Sequence, residues 1–453
     1  MPDANIAQVL INPLKPALIQ GVGQKLHVLV RVQAPDPDPA QKKERRPYHL
    51  SLVIDRSGSM SGEPLIEAVR CAKHIVDRLE PTDIASLVVF DNHVHTLAPA
   101  RPVGDRKAFY VALAKIREGG STNLHGGWAE GTQTILPAAH EAALARVILL
   151  SDGNANVGEI TETEAIAALC AEAAAKGVTT STYGLGRNFN EELMVEMAKS
   201  GAGNHYYGDT AADLLEPFAE EFDLISSLYA RHVRLSLAAP SGVKITLMND
   251  YPVEEREGFP LVRLPDIPFG AEAWVLVELE IPAGLALESG NQVLQAGVTA
   301  RTPDGTPIAF PEATLTLNAL SAPAWDAVLP DPLVVARLAE LEAGKLLERA
   351  RNAAQHGDWA AIEKMLAEAR ERFASHPWIM QVLEEMAQIA KAMDGARFGK
   401  EALYSSKKMG SRLSAKEELL ASLSAESASP SFLRRKPSQG KAQFEKRPED
   451  DKP

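Results

Sequence analysis

Between Tyr48 and Arg231 the apolar residues follow two alternating periods. YHLSLVID (48–55), IASLVVF (84–90), RVILLSD (146–152) and VTTSTYGLG (178–186) are short, nearly continuous apolar runs. EPLIEAVRCAKHIVDRL, in contrast, carries apolar residues at 65, 68, 69, 72, 75, 76 and 79, one face of an amphipathic helix. The same period predicts helices near 105–117, 126–138, 162–176, 190–199 and 211–228, with a short edge strand at 94–99 and a strand at NHYYG. Apolar strands separated by amphipathic helices predict a mostly parallel sheet covered on both faces, so 48–228 is expected to be a doubly wound, Rossmann-like α/β domain.

On either side the period changes to that of strands. HVRLSLA, VKITLMN, FPLVRL, AWVLVELEI, VLQAGVTAR and ATLTLNA, separated by turn signals such as AAPSG and TPDGTP, predict a β-sandwich over 231–320. Residues 6–11 and 24–34 also alternate, and DPDPAQKKERRP then reads as a charged, Pro-rich linker. A lone hairpin is marginal in water, so the strands within 1–40 are expected to pair with the sandwich, making the α/β domain an insertion in it. From Pro332 the helical period returns, broken at Gly357-Asp358 and Ser375-His376-Pro377, which predicts a helical hairpin or three-helix unit over 332–394. Residues 395–453, rich in Lys, Ser, Glu and Pro, are expected to form a mostly disordered tail whose removal after Asp394 leaves stability nearly unchanged.

Composition narrows the function classes. The net charge is −13, yet from Arg397 onward thirteen Lys or Arg face eight Asp or Glu, which leaves −18 on the rest. An acidic body argues against nucleic acid as the main partner, because that binding rests on neutralising phosphates. No apolar run approaches the roughly 20 residues that span a bilayer. The N-terminus lacks a basic segment and is interrupted by Pro13 and Pro16, so a cytoplasmic location is expected. Cys71 and Cys170 fall in separate helical segments and read as buried free thiols.

The chemistry concentrates at strand ends. The first α/β strand closes in Asp55-Arg56-Ser57-Gly58-Ser59, a D-x-S-x-S run; Thr122 lies in GGSTNLHGG, and Asp152 closes the fourth strand in LLSDGNANVG. In a doubly wound sheet ligands bind beyond the carboxyl ends of strands, where the strand order reverses. If the first and fourth strands flank that point, Asp55, Ser57, Ser59, Thr122 and Asp152 converge. Five oxygen donors without His or Cys select a hard cation: Mg²⁺ first, with Mn²⁺ or Ca²⁺ as alternatives. Gly58 and Gly119-Gly120 are expected to allow tight turns there. Asp83 reads as a turn or cap residue, Tyr206-Tyr207 as packing at the sheet edge, and His93, His95 and His125 lack the companions of a zinc site. G-x-S-x-G is absent around Ser57 and Ser59, and no paired acids or His mark the sandwich, so no enzyme is expected.

With Asp55, Ser57, Gly58, Ser59, Met60, Gly62, Thr122, Gly126 and Asp152-Gly153 in order on these elements, the sequence resembles the von Willebrand factor A (VWA) family. The likeness is to bacterial and intracellular, Ca-activated-channel-like members with a metal-ion-dependent adhesion site. It implies direct metal ligation by Ser57, Ser59 and Thr122, water-bridged ligation by Asp55 and Asp152, and an open sixth position for a partner's carboxylate. Arg56 departs from the small or apolar residue usual there, and either pre-attracts an acidic ligand or points away. The function implied is metal-dependent protein binding; the alternative is an adaptor subunit of a MoxR-like AAA+ ATPase chaperone or chelatase assembly.

Overall fold

The computed structural model describes residues 6–37, 47–141, 144–185, 190–208, 211–256, 259–285, 290–411 and 413–416. They fall into two compact units: one spans Lys43–Ser226, and the other joins the segment before Lys43 to the described residues after Ser226.

The second unit opens with β1 (Gln8–Pro13), β2 (Ala17–Ile19) and β3 (Gln24–Gln33). The chain then enters the α/β unit as β4 (Tyr48–Asp55), α1 (Glu63–Arg78), β5 (Ile84–Phe90), β6 (Val94–Pro102), α2 (Lys107–Leu113) and α3 (Leu124–Ile135). It continues as β7 (Leu144–Ser151), α4 (Thr163–Ala175), β8 (Val178–Leu185), α5 (Glu191–Ser200), β9 (Ala202–Gly208) and α6 (Ala211–Ser226). The sheet order is β6-β5-β4-β7-β8-β9, with β5 to β9 parallel through β4 and β6 antiparallel on the edge. Strands four and one of the unit are thus neighbours at the reversal point. Every residue of β4 and of β7 is buried, as expected of central parallel strands. On α1, Leu65, Ala68, Cys71, Ala72, Ile75 and Val76 form the buried stripe.

After Ser226 come β10 (Leu228–Ala238), β11 (Lys244–Leu247), β12 (Val253–Arg256), β13 (Phe259–Arg263), β14 (Ile267–Pro268) and β15 (Ala271–Ile281). They are followed by β16 (Asn291–Arg301), β17 (Pro307–Ala309) and β18 (Ala313–Leu320). One sheet runs β1-β3-β15-β11 and the other β12-β13-β10-β16-β18-β2. The N-terminal strands therefore complete both sheets: β3 pairs with β15 from Gln24↔Ile281 to Gln33↔Glu272, and β2 lies parallel to β18. Val28, Val30 and Val32 meet Val233, Leu235 and Leu294 in the core between the sheets, one face of a period-two alternation. This is the β-sandwich into whose chain the α/β domain is inserted.

The opposite face of the first sheet is also covered. After α7 (Ala322–Asp326), α8 (Pro332–Gln355) starts on an N-cap in which Asp331 accepts from the amides of Leu333 and Val334. Its Val334 and Leu341 pack on Leu29, Trp274 and Leu276. Beneath it Glu272 Oε2 accepts from Arg31 Nη2 at 2.8 Å and Gln33 Nε2 at 2.8 Å, and Arg337 Nη2 lies 3.6 Å from Glu272 Oε1. Arg337 also donates to Glu340 and to Ser414 Oγ, and its guanidinium stands 4.7 Å from the Trp274 ring centre. The helices are thus part of the sandwich unit, where the sequence reading separates them as a domain of their own over 332–394.

The other face of α8 packs against α9 (Trp359–Arg372), α10 (Pro377–Lys391) and α11 (Gly395–Ser411). Here the expectation of a tail from 395 is corrected. Phe398, Ala402 and Met409 of α11 are buried in the helical core, and β19 (Ser414–Ala415) pairs with β15. The mixture of Lys and Ser in 395–411 conceals an amphipathic stripe spaced by three, four and seven residues. Residues 417–453, the rest of the expected tail, lie outside the described residues.

Truncation after Asp394 should therefore destabilise the protein severely. Loss of a buried Phe alone costs about 3–5 kcal/mol, on the order of 10 °C in melting temperature for a domain of this size. Calorimetry of this truncation beside the full chain measures the difference, and equal melting temperatures would contradict the packing of α11.

Candidate metal centre

Asp55 is the last residue of the central strand β4, and the chain beyond it is held by its neighbours on both sides. The Arg56 amide donates to Phe90 O at 2.8 Å, which continues the β4–β5 ladder by one step. Asp55 Oδ1 accepts from the Ser57 amide at 2.8 Å, an Asx turn, and Oδ2 accepts from Ser151 Oγ at 2.6 Å. Gly58–Met60 then form a short 3₁₀ turn ahead of α1, and Ser57 Oγ lies 3.2 Å from Ser59 Oγ. Asp55 is fully buried.

The Thr122 loop is stitched to this turn through the backbone. Gly58 N–H donates to Gly120 O and Gly119 N–H to Arg56 O, both at 2.7 Å. A Cβ on Gly119 would lie 1.9 Å from the Asp91 carboxylate, so close approach demands glycine at 119. At Gly58 a Cβ would meet Gly120 O at an ordinary 3.5 Å, so the steric need expected there falls on Gly119 instead. The Thr122 amide donates to Asn156 Oδ1 at 2.8 Å, and Thr122 O accepts from the Asn156 amide at 3.2 Å. This clasp ties Thr122 to the loop following Asp152. Asp152 Oδ1 accepts from the Asn154 amide at 3.2 Å, and Ser151 Oγ accepts from Gly153 N–H at 2.8 Å. Gly153, at φ 69, would meet Asn190 O at 2.8 Å with a Cβ.

Ser151 thus connects the β7 end to Asp55, and the Gly119–Thr122 segment connects both to the turn holding Ser57 and Ser59. Asp55, Ser57, Thr122 and Asp152 are buried, whereas Ser59 is exposed at the rim. Burial pushes the Asp55 carboxyl up to about 6; hydrogen bonds from Ser151 and Ser57 oppose the shift, and the charge of Asp152 adds to it. Arg56 supplies no balancing charge, because its guanidinium pairs with Asp91 at 2.9 Å. Two carboxylates with hydroxyls around them and the nearby arginine already engaged suit a divalent cation. Among the described residues no three His, Cys, Asp or Glu side chains group as a metal site, so a cation here depends on hydroxyl oxygens as well as acids.

Asp91, Ser151 and Asn156 escape the sequence reading. Asp91 follows the apolar run of β5 directly, the same strand-ending acid that marks Asp55 and Asp152, and could have been found by that signal. The other expected residues fall as follows. Asp83 caps a turn, accepting from the amides of Tyr48 at 2.9 Å and Glu80 at 2.8 Å. Tyr206 stacks on Tyr183 at 5.2 Å. Cys71 and Cys170 are buried free thiols, and burial pushes the Cys170 thiol up.

The model of the von Willebrand factor type A domain matches residues 49–221. Those residues are a VWA domain. Uncharacterized protein sll0103 of Synechocystis sp. is 27% identical over 272 residues, 56% of this chain and 61% of its own length. Uncharacterized protein YfbK of Escherichia coli is 27% identical over 200 residues, 44% of this chain and 35% of its own. The chain thus spans less than two thirds of these relatives. The solved von Willebrand factor type A structure from Catenulispora acidiphila shares the fold over 85% of this chain and 91% of its own, with a TM-score of 0.67 at 15% identity. Its likeness therefore extends beyond the VWA domain. No helix among the described residues is long and apolar enough to cross a membrane.

The Asp55 shift has a measurable consequence for the metal-free protein. A carboxyl at about 6 when folded and 3.8 when free binds more protons folded than unfolded between those values. Its contribution to stability is present below about pH 4 and lost as pH rises through about 6, on the order of 3 kcal/mol. In EDTA, Asp55→Asn should remove this dependence and be more stable than wild type at pH 7.5. Denaturant melts at pH 4.5 and 7.5 check it; an Asn variant less stable than wild type at pH 7.5 would contradict the buried charge.

Proposed function

We propose that the VWA domain binds a protein partner through a divalent cation, Mg²⁺ foremost, held by Ser57, Ser59 and Thr122 with Asp55 and Asp152 completing the site. The observation that carries this reading is the buried Asp55 carboxylate beside Asp152, raised to about 6, with Arg56 already paired to Asp91. A cation would relieve that accumulation of negative charge. A bound dication supplies an electrophilic point for an incoming carboxylate, and the three neutral hydroxyls leave it short of negative charge. The chain's own part is to hold the oxygens: the Asx turn fixes Ser57, the Asn156 clasp fixes Thr122, and Ser151 orients Asp55. The serine hydroxyls act as donors to the ion, so the site binds and does not catalyse. Ser59, exposed at the rim, marks the side from which a partner approaches.

The partner presents an acidic side chain. Its replacement by the amide removes the charge that balances the dication and should weaken binding by about 1.5–3 kcal/mol, the scale of charged hydrogen bonds. A cytoplasmic protein partner fits a chain of this composition. The AAA+ adaptor reading has no residue of the site behind it, whereas the carboxylate reading rests on named oxygens.

Isothermal titration with Mg²⁺ and Mn²⁺ should give binding to wild type and none to Asp55→Ala. Thr122→Ala should lose affinity about tenfold or more, while Thr122→Ser keeps most of it, because the hydroxyl is the ligand atom. A pulldown of the full chain with and without EDTA extends the test to the partner. Undiminished metal affinity in a folded Asp55→Ala would refute the site, and partner capture equally strong in EDTA would place the docking surface elsewhere.

A further inference from the structure

Two neighbouring residues at the end of β4 are drawn to opposite sides of it. Asp55 Oδ2 accepts from Ser151 Oγ of β7, whereas Arg56 Nη2 lies 2.9 Å from Oδ2 of Asp91, the residue that follows β5. In the sheet β5 and β7 flank β4 on opposite sides. Asp152, the other acid of the metal centre, follows β7. The two acids of the centre thus belong to the β4 and β7 ends, and the guanidinium between Asp55 and Ser57 is tied towards β5.

Asp91 is itself held in place to make this tie. Its side chain is 6% exposed and that of Arg56 21%. Oδ1 accepts from the His93 amide at 2.7 Å, an Asx turn that leaves Oδ2 to Arg56. Asp91 O accepts from the Asn123 amide at 2.8 Å, next to Thr122, and the carboxylate rests on Gly119, where a Cβ would lie 1.9 Å from Oδ2. His93 is a second basic group at Asp91, with Nδ1 3.9 Å from Oδ1, but its side chain is 70% exposed. Among the described residues Arg56 Nε has no hydrogen-bond partner, so the ion pair with Asp91 is what fixes this guanidinium.

We infer that Asp91 is a positioning residue of the metal centre, which sets the affinity for a cation by holding the Arg56 charge on the β5 side. The inference rests on the divalent site proposed above. Arg56 stands between Asp55 and Ser57, so without Asp91 its guanidinium is left unpaired within one side chain's length of two oxygen donors. There it repels an incoming dication, and that repulsion falls off only as the inverse of distance. The two halves of the pair therefore act in opposite directions. Removing the charge of Asp91 weakens cation binding, and removing that of Arg56 strengthens it, whereas a strut between loops would be weakened from either end.

The test is calorimetric titration of the full chain with Mn²⁺ and with Mg²⁺, the fold of each variant being checked by thermal melting in EDTA. Asp91→Asn should bind about tenfold more weakly or worse, the scale found for groups that support metal ligands from behind. Arg56→Gln should bind about threefold more tightly or better, and the double variant should return to within about threefold of wild type. Should Asp91→Asn not fold, the direction of the Arg56→Gln change gives the answer by itself. Weaker binding in both single variants would make the pair a strut, and an Arg56→Gln affinity equal to that of wild type would mean that the guanidinium does not act on the cation. Either result overturns the inference while the metal site stands. Wild type that binds neither ion removes the metal site and this inference with it.

Discussion

The fully buried carboxylate of Glu272 holds together segments that are hundreds of residues apart. Arg31 and Gln33 come from β3, Arg337 from α8, and Ser414 from the last described strand, yet all meet around one side chain of β15. A buried carboxylate is tolerable only when paired and hydrogen-bonded, and removing either arginine leaves an uncompensated charge. Two arginines and the carboxylates of Glu272 and Glu340 make the group neutral as a whole. The arrangement fixes which residues of the first sheet face α8, because a one-residue slip of β3 on β15 would turn Arg31 into the sandwich core. The chain leaves this sheet at Gln33 and returns to the sandwich at Leu228, so the same unit anchors both ends of the inserted VWA domain.

The VWA domain resolves a different electrostatic problem. Its charges are gathered at the end of the sheet where strand ends and loops leave polar groups without ladder partners. Asp55 is buried with hydrogen bonds that favour its ionised form, but burial outweighs them. Such a group weakens the fold near neutral pH, and the proposed cation would reverse that penalty, so under that proposal stability and binding pull in opposite directions at one residue. Arg56 and Asp91 form a pair of their own beside it, and the absence of a side chain on Gly119 makes room for that pair.

Much of the fold could be read along the chain. The change of apolar period at Tyr48, after Arg231 and at Pro332 separates α/β, β and helical segments because burial selects period 2 in strands and 3.6 in helices. Asp55, Ser57, Ser59, Thr122 and Asp152 could be named as candidates because they stand at or beyond the carboxyl ends of strands, where a doubly wound sheet binds its ligands. The helix over Gly395–Ser411 was hidden by its Lys and Ser, since composition averages over faces while packing responds to one of them.

The sequence by itself determined most element types, the insertion and the candidate oxygen donors, since these depend on local periodicity and residue chemistry. Tertiary structure alone decided that Asp55 is buried and that Arg56 is paired with Asp91. It also decided that Gly119 is the sterically obligatory glycine and that Arg31, Glu272 and Arg337 meet. Each of these depends on which strands become neighbours and in what register. Register is set by the summed burial of whole sheet faces, a quantity that no short stretch of sequence contains.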